Sequence, residues 1–185
     1  MHYDPLVTVF TIGHSTRSLD EFLALLAAHR IGLLVDVRRF PGSRRHPHFA
    51  RAALADAVAQ AGIEYRWVEA LGGRRSRRAG SPHTAWRVPA FAGYADHMDG
   101  AEFAAAAAEL FEWARGTRTA ILCAEARPEQ CHRRLISDWL TAHGATVEHI
   151  LTSRRTARHQ LPEFARVEGD RVIYDVGQLP LEPDS

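Results

Sequence analysis

The stretch CAEARPEQCHRR, residues 123–134, concentrates side chains that do chemistry. It holds both cysteines of the chain, the carboxylates Glu125 and Glu129, His132 and three arginines. A thiolate at Cys131 or Cys123 is a nucleophile, and Glu125 or His132 is suited to move a proton. Cys123, Glu125, Cys131 and His132 are also competent metal ligands, although nothing in their spacing demands a metal. The C-x7-C spacing is not the C-x-x-C of a dithiol redox motif. For either cysteine the plain alternative is a small buried side chain.

Outside this stretch, His14 and Ser15 precede a helix start, where unpaired amides favour an anion. Asp36 and Arg38 lie two residues apart on an apolar strand, so they share one sheet face. They read either as a structural ion pair or as part of a site. Arg133 falls at the edge of a helix face and is a candidate anion ligand. Arg44, Arg45, Arg74, Arg75, Arg77 and Arg78 form two basic loops, SRRHPH and RRSRR. These are solvated surface or phosphate contacts for a nucleic acid.

The elements that position these residues follow from apolar patterning. LVTVFTIG predicts a strand over 7–12 that ends at Gly13. Ser18 and Glu21 form a capping box at the start of a helix that Gly32 can end. LLVDVR (33–38) is a second strand, residues 50–61 a helix ending at Gly62, and IEYRWVEA a third strand. A long glycine- and arginine-rich loop leads to a helix over 102–115. TAILC is a fourth strand, residues 128–143 a helix with Pro128 and Cys131 in its first turn, and TVEHIL a fifth strand. In that helix Arg134 and Asp138 stand at pairing distance, i,i+4. FARVEGDRVIYD closes the chain as a hairpin turning at Gly169–Asp170.

Alternating strands and helices predict an α/β fold. The expectation is a single three-layer domain over 1–185 with a mainly parallel, roughly five-stranded sheet and helices on both faces. Its core spans about 7–151, and residues 152–185 extend it with a small C-terminal β-hairpin. Ligands of such sheets bind beyond the carboxyl ends of the strands. His14, Asp36, Cys123, Glu125 and His132 all fall near those ends. The first turn of a helix, with arginines nearby, favours a thiolate at Cys131.

Composition narrows the class. The formal net charge of +1 gives no global basic field. All 23 basic residues are arginine, so lysine Schiff-base chemistry is excluded. No apolar run reaches membrane-spanning length, and the amino-terminal residues lack a secretory pattern. The expected location is cytoplasmic, with free thiols, no membrane partner and an unknown oligomeric state. The cofactor is left unknown, and no P-loop, G-x-G-x-x-G, G-x-S-x-G or H-E-x-x-H is present.

TIGHS (11–15), LVDVRRFPGSRR (34–45), GIEYRWVEALGG (62–73), FAGYADHM (91–98) and CAEARPEQCHR (123–133) occur together and in this order. In that combination the chain resembles the bacterial family catalogued as domain of unknown function 488, over about 8–151. The resemblance implies a compact α/β fold and supplies no reaction. Its pattern matches here at His14, Ser15, Asp36, Arg38, Cys123, Glu125, Cys131, His132 and Arg133.

Three functions remain open at this point. One is an enzyme-like protein binding a small anionic or nucleotide-like ligand at the carboxyl edge of the sheet. It would use His14, Ser15, Asp36, Arg38 and Arg133 for binding and Glu125, His132, Cys131 and Cys123 for chemistry. Another is a nucleic-acid-binding or DNA-repair-associated module using the arginine loops. The last is a thiol or metal site built on Cys123, Glu125, Cys131 and His132.

Overall fold

Five short apolar runs pair as parallel strands: β1 (Thr8–Gly13), β2 (Leu33–Asp36), β3 (Glu64–Trp67), β4 (Thr119–Cys123) and β5 (Thr146–Thr152). A computed structural model describes residues 7–42 and 44–175. The sheet order is β3-β2-β4-β1-β5-β6, with β6 (Arg155–Arg158) antiparallel to β5 at the edge. This sixth strand, RTAR, carries no apolar alternation. It is an arginine-rich edge, which disfavours further strand pairing.

Strand periodicity of two assigns each face. Phe10, Ile12, Leu34 and Leu122 pack against Phe22 and Leu26 of α1 (Leu19–Ala28) and Leu54 and Val58 of α2 (Arg51–Gln60). Val9, Val35, Ile121 and Cys123 point the other way. There they meet α3 (Pro89–Met98), α4 (Ala101–Gly116) and α5 (Arg133–Ala142). The chain crosses one face after β1 and the other after β4. The segment after β1 nonetheless stays bonded to the one after β4, with the His14 and Ser15 amides on the Cys123 and Ala124 carbonyls, and the edge opens between β4 and β2 instead.

Local signals explain the ends of several elements. The Ser18 hydroxyl accepts the Glu21 amide, and the Glu21 carboxylate accepts the Ser18 amide, completing the capping box. The end of α1 does not use Gly32. Arg30 takes the left-handed conformation (φ 54), and the Ile31 amide bonds back to Leu26. The segment after β4 is also not one continuous helix. Pro128–Gln130 form a 3-10 turn, Cys131 is extended (φ −138, ψ 149), and α5 begins at Arg133. Closing Cys131 N–H onto Pro128 O ends the tight turn and swings Cys131 back toward Cys123. The helix α3 was not legible as one, because PAFAGYADHM lacks a clean apolar stripe. It is buried by the long loop and by α4 instead.

The C-terminal hairpin, β7 (Ala165–Glu168) and β8 (Arg171–Tyr174), turns at Gly169–Asp170 and fastens onto the body. Tyr174 is fully buried and donates its hydroxyl to Asp138 of α5. His159 Nε2 donates to the other Asp138 oxygen. Asp138 is therefore not the partner of Arg134. These tertiary donors take both of its oxygens, and the Arg134 guanidinium lies 5.2 Å from the Trp86 ring centroid.

Gly13 marks the closest approach between β1 and the loop after β4. A Cβ there would sit 1.8 Å from the Glu125 carbonyl oxygen. Gly13→Ala is expected to lower unfolding free energy by about 3 kcal/mol, because backbone must separate to admit one methyl group. Gly116→Ala, at the end of α4 with open space around it, should be neutral or gain up to about 1 kcal/mol. Urea unfolding of both variants checks the contrast, and equal effects would contradict it.

Candidate functional site

A cavity of about 280 Å³ opens at the carboxyl ends of β2 and β4. Its walls come from four places: the loop after β2 (Arg38, Arg39, Phe40), the glycine loop (Gly73, Arg74), α3 (Phe91, Tyr94) and the segment after β4 (Cys123 to His132). The strand register explains this membership. Cys123 shares its face with Ile121 and Val35, the face covered by α3 and α5.

At the floor, Cys123 Sγ and Cys131 Sγ each lie 3.8 Å from His132 Nδ1. The three ligand-type atoms are all within 4.8 Å of one another. His132 Nε2 donates to the Val37 carbonyl at 2.8 Å. A carbonyl only accepts, so Nε2 carries a proton and Nδ1 is the nitrogen that faces the two sulfurs. Gly73 makes room for this ring, since a Cβ there would lie 2.8 Å from Nδ1. Tyr94 packs beside it, with ring centroids 5.0 Å apart, and donates its hydroxyl to Leu71 O.

The two thiols are unequal. The contact with Cys131 and burial both hold the Cys123 proton on, well above the ordinary thiol range. Burial also pushes Cys131 up, but the hydrogen bond from Cys123 and the Arg133 charge outweigh it. Cys131 ends well below the ordinary range. The Arg133 backbone amide also donates to Cys131 Sγ at 3.4 Å. A helix-start amide thus serves Cys131 although the residue precedes α5 rather than lying in its first turn.

Other sequence-named residues stand apart from this floor. Asp36 is fully buried on the opposite sheet face, bound by Arg38 Nε at 2.9 Å, Arg38 Nη2 at 2.5 Å and Tyr65 Oη at 2.6 Å. Arg38 spends its remaining arm on Phe49 O, although it also borders the cavity. His14 stacks on Phe49 at 4.3 Å and donates through Nδ1 to Ser15 O. Burial lowers its pKa to about 4. Ser15 follows in a left-handed conformation (φ 51). Glu125 is exposed on the cavity wall and, among the described residues, forms no ion pair. Its carboxylate lies outside the 4.8 Å group of Cys123, Cys131 and His132.

Arg133 is 1% exposed and spends its guanidinium on the protein itself. It donates to Glu125 O at 2.5 Å and to Thr11 Oγ1 at 3.2 Å. In the basic loops, Arg75 bonds the Gly72 and Glu69 carbonyls and Arg78 pairs with Asp99. Arg44, Arg45 and Arg77 are exposed.

Arg39 and Phe40 escaped the sequence reading. The guanidinium carbons of Arg39 and Arg74 lie 5.5 and 5.7 Å from the Phe40 ring centroid, and Arg39 donates to Arg74 O. The only sequence signal was the adjacency of Arg39 to the named Arg38.

Behind the site runs a buried polar chain. Arg133 donates to Thr11, Thr11 to His149 Nδ1, His149 Nε2 to His159 Nδ1, and His159 Nε2 to Asp138. This order of donors puts the His149 proton on Nε2. Burial, with His159 and Arg133 adjacent, lowers the His149 pKa to about 3. An unfolded histidine titrates near 6.5, so between these values the unfolded chain binds the extra proton. Stability is full above about pH 6.5 and falls as pH drops toward about 3. From pH 7 to pH 5 this one group should cost roughly 2 kcal/mol. Urea unfolding at both values should show a shallower loss for His149→Gln than for the parent, and an unchanged slope would contradict the assignment.

Comparison with known proteins gives one finding: the family model described as "Domain of unknown function DUF488" matches residues 18–140. No curated protein and no solved structure matches the chain. Among the described residues no helix is long and apolar enough to cross a membrane.

Proposed function

The chain belongs to the domain of unknown function DUF488 family, and from that premise we propose an enzyme-like site for a small anionic ligand of mononucleotide size. The observation that carries this reading is the pair Arg39 and Arg74 at the cavity mouth. Two guanidinium groups flank one phenyl ring, and among the described residues neither is paired with a carboxylate. Like charges gathered beside a concave, partly apolar pocket favour an anion there. Phe40, Phe91 and Tyr94 supply aromatic surface for a flat ring.

In this reading the anionic group meets Arg39 and Arg74, and the other end of the ligand reaches the Cys123–Cys131–His132 floor. Glu125, exposed on the wall and free of an ion pair, is the proton acceptor or donor. Arg38, Asp36 and Arg133 are positioning residues. They fix the loops that carry the floor. His14 and Ser15 lie on the far side of β1 and hold the turn.

Calorimetric titration at low salt with nucleoside monophosphates and pyrophosphate tests this. Saturable binding is expected, and Arg39→Ala/Arg74→Ala should weaken it by roughly tenfold or more. Arg44→Ala/Arg45→Ala should leave it unchanged. Absence of binding by every probe would sink the reading. Salt-sensitive binding of a single-stranded oligonucleotide that needs Arg44, Arg45 and Arg77 would replace it with the nucleic-acid alternative.

A further inference from the structure

The floor of the cavity has the donor set of a metal centre. We propose that Cys123 Sγ, Cys131 Sγ and His132 Nδ1 form a three-ligand site for a zinc-class divalent ion, with its fourth coordination position facing the cavity. The proposal names a cofactor for the site read above as enzyme-like, and its geometry stands on the cluster alone.

Distances come first. Metal–sulfur and metal–nitrogen bonds of about 2.3 and 2.0 Å in a tetrahedron place two sulfurs about 3.8 Å apart and sulfur and nitrogen about 3.6 Å apart. Both sulfurs here are 3.8 Å from Nδ1, and all three atoms fall within 4.8 Å of one another. Both sulfur–nitrogen distances are thus within a few tenths of an ångström of bonding positions, and the sulfurs need close by no more than about 1 Å, within ordinary side-chain freedom.

The imidazole is already set for the role. Its Nε2 proton is bonded to the Val37 carbonyl, which orients the ring and leaves Nδ1 as the available lone pair. Ligating histidines characteristically donate their other nitrogen in this way. Gly73 holds the space this ring occupies. The sulfurs come from fixed backbone. Cys123 closes β4, and Cys131 is held by its own N–H to Pro128 O and by its carbonyl to the Arg134 amide.

Electrostatics favour the same occupant. Two sulfurs in contact at a buried floor cannot both ionise without a cation between them. A divalent ion supplies that cation, binds both sulfurs as thiolates and releases their protons to solvent. Two thiolates and an imidazole select zinc-class ions over magnesium or calcium, which prefer oxygen. With three protein ligands, the remaining position opens on Gln130, Glu125 and the cavity. That is the arrangement of a site that keeps one position for water or a ligand rather than a closed structural site.

Among the described residues the other grouping of ligand-type side chains, His83, Asp96 and Asp99, is largely engaged. Arg171 and Arg78 already answer Asp99, and the Arg78 amide bonds Asp96.

The test is Co²⁺ and Zn²⁺ binding to the full chain after chelator treatment. About one ion per chain is expected. Cobalt should give thiolate-to-metal charge-transfer absorption and tetrahedral visible bands. Cys131→Ser and His132→Ala should each lower affinity by on the order of a hundredfold or more, and Glu125→Gln by less than about threefold. Should a variant fail to fold, the unmodified protein decides the matter. Zinc should slow iodoacetamide alkylation of both cysteines by roughly tenfold or more, counted by mass spectrometry. Cobalt binding without the charge-transfer band, or no protection of the cysteines by zinc, overturns the proposal. Nucleotide titration of the metal-free protein separates the two readings. Binding that still needs Arg39 and Arg74 in a protein that takes no metal defeats this proposal alone. A filled metal site without anion binding defeats the ligand reading alone.

Discussion

Arg133 carries a positive charge into a position that is 1% exposed, and among the described residues no carboxylate pairs with it. Its partners are dipoles: the carbonyls of Glu125 and Ala126 and the hydroxyl of Thr11, while Nε has no partner. Leaving a buried guanidinium so lightly answered is costly. The same charge favours the ionised form of the buried Cys131 sulfur. The two costs offset each other: a buried thiolate needs a cation, and a buried guanidinium needs an anion. The clamp on the Glu125 and Ala126 carbonyls also fixes the loop that runs from Cys123 to Cys131. It does so against Gly13, where any side chain would collide with that loop.

The same side chain begins a directional chain of hydrogen bonds that ends under the hairpin. In the series Arg133, Thr11, His149, His159 each member donates to the next, and Asp138 receives His159 and Tyr174 at the far end. Because each proton has one place, the chain has a single low-energy arrangement, and burial makes any other arrangement costly. Sheet, α5 and the C-terminal hairpin are tied in one network. The hairpin in turn covers the long arginine loop, with the Tyr174 amide on His83 and the Ala85 amide on the Tyr174 carbonyl. That loop supplies Gly73 and Arg74 to the cavity. The hairpin thus supports the site without contributing a residue to its walls.

The fold was legible because it rests on local rules. Apolar runs became strands, the S-x-x-E box started α1, and Gly62 and Gly169 took positive φ where chain reversals were expected. What was not legible came from tertiary causes. The strand β6 has no apolar pattern and exists because β5 offers an edge. The helix α3 is buried by its neighbours rather than by a stripe of its own. The pairing of Arg134 with Asp138 was sound helix arithmetic, defeated by Tyr174 and His159, which arrive from distant sequence. Cys131 was displaced from a helix turn by the geometry that brings it to Cys123.

Site residues sort by strand parity rather than by proximity to a strand end. His14 and Asp36 are as close to their strand ends as Cys123 is, yet they face α1 and α2, where Phe49 and Tyr65 engage them. Cys123 faces α3 and α5, and so meets Cys131 and His132. Nearness to the carboxyl edge is therefore a necessary condition for belonging to the cavity. The face given by alternation decides the rest. Counting by twos from Val35 leads to Val37, whose carbonyl orients His132, while counting from Leu34 leads to Asp36 and Arg38, which lock to each other. One strand thus supplies an anchor for the reactive floor on one side and an ion pair on the other. The loop beyond it, Arg39 and Phe40, returns to the cavity mouth because Asp36 and Phe49 hold Arg38 in place.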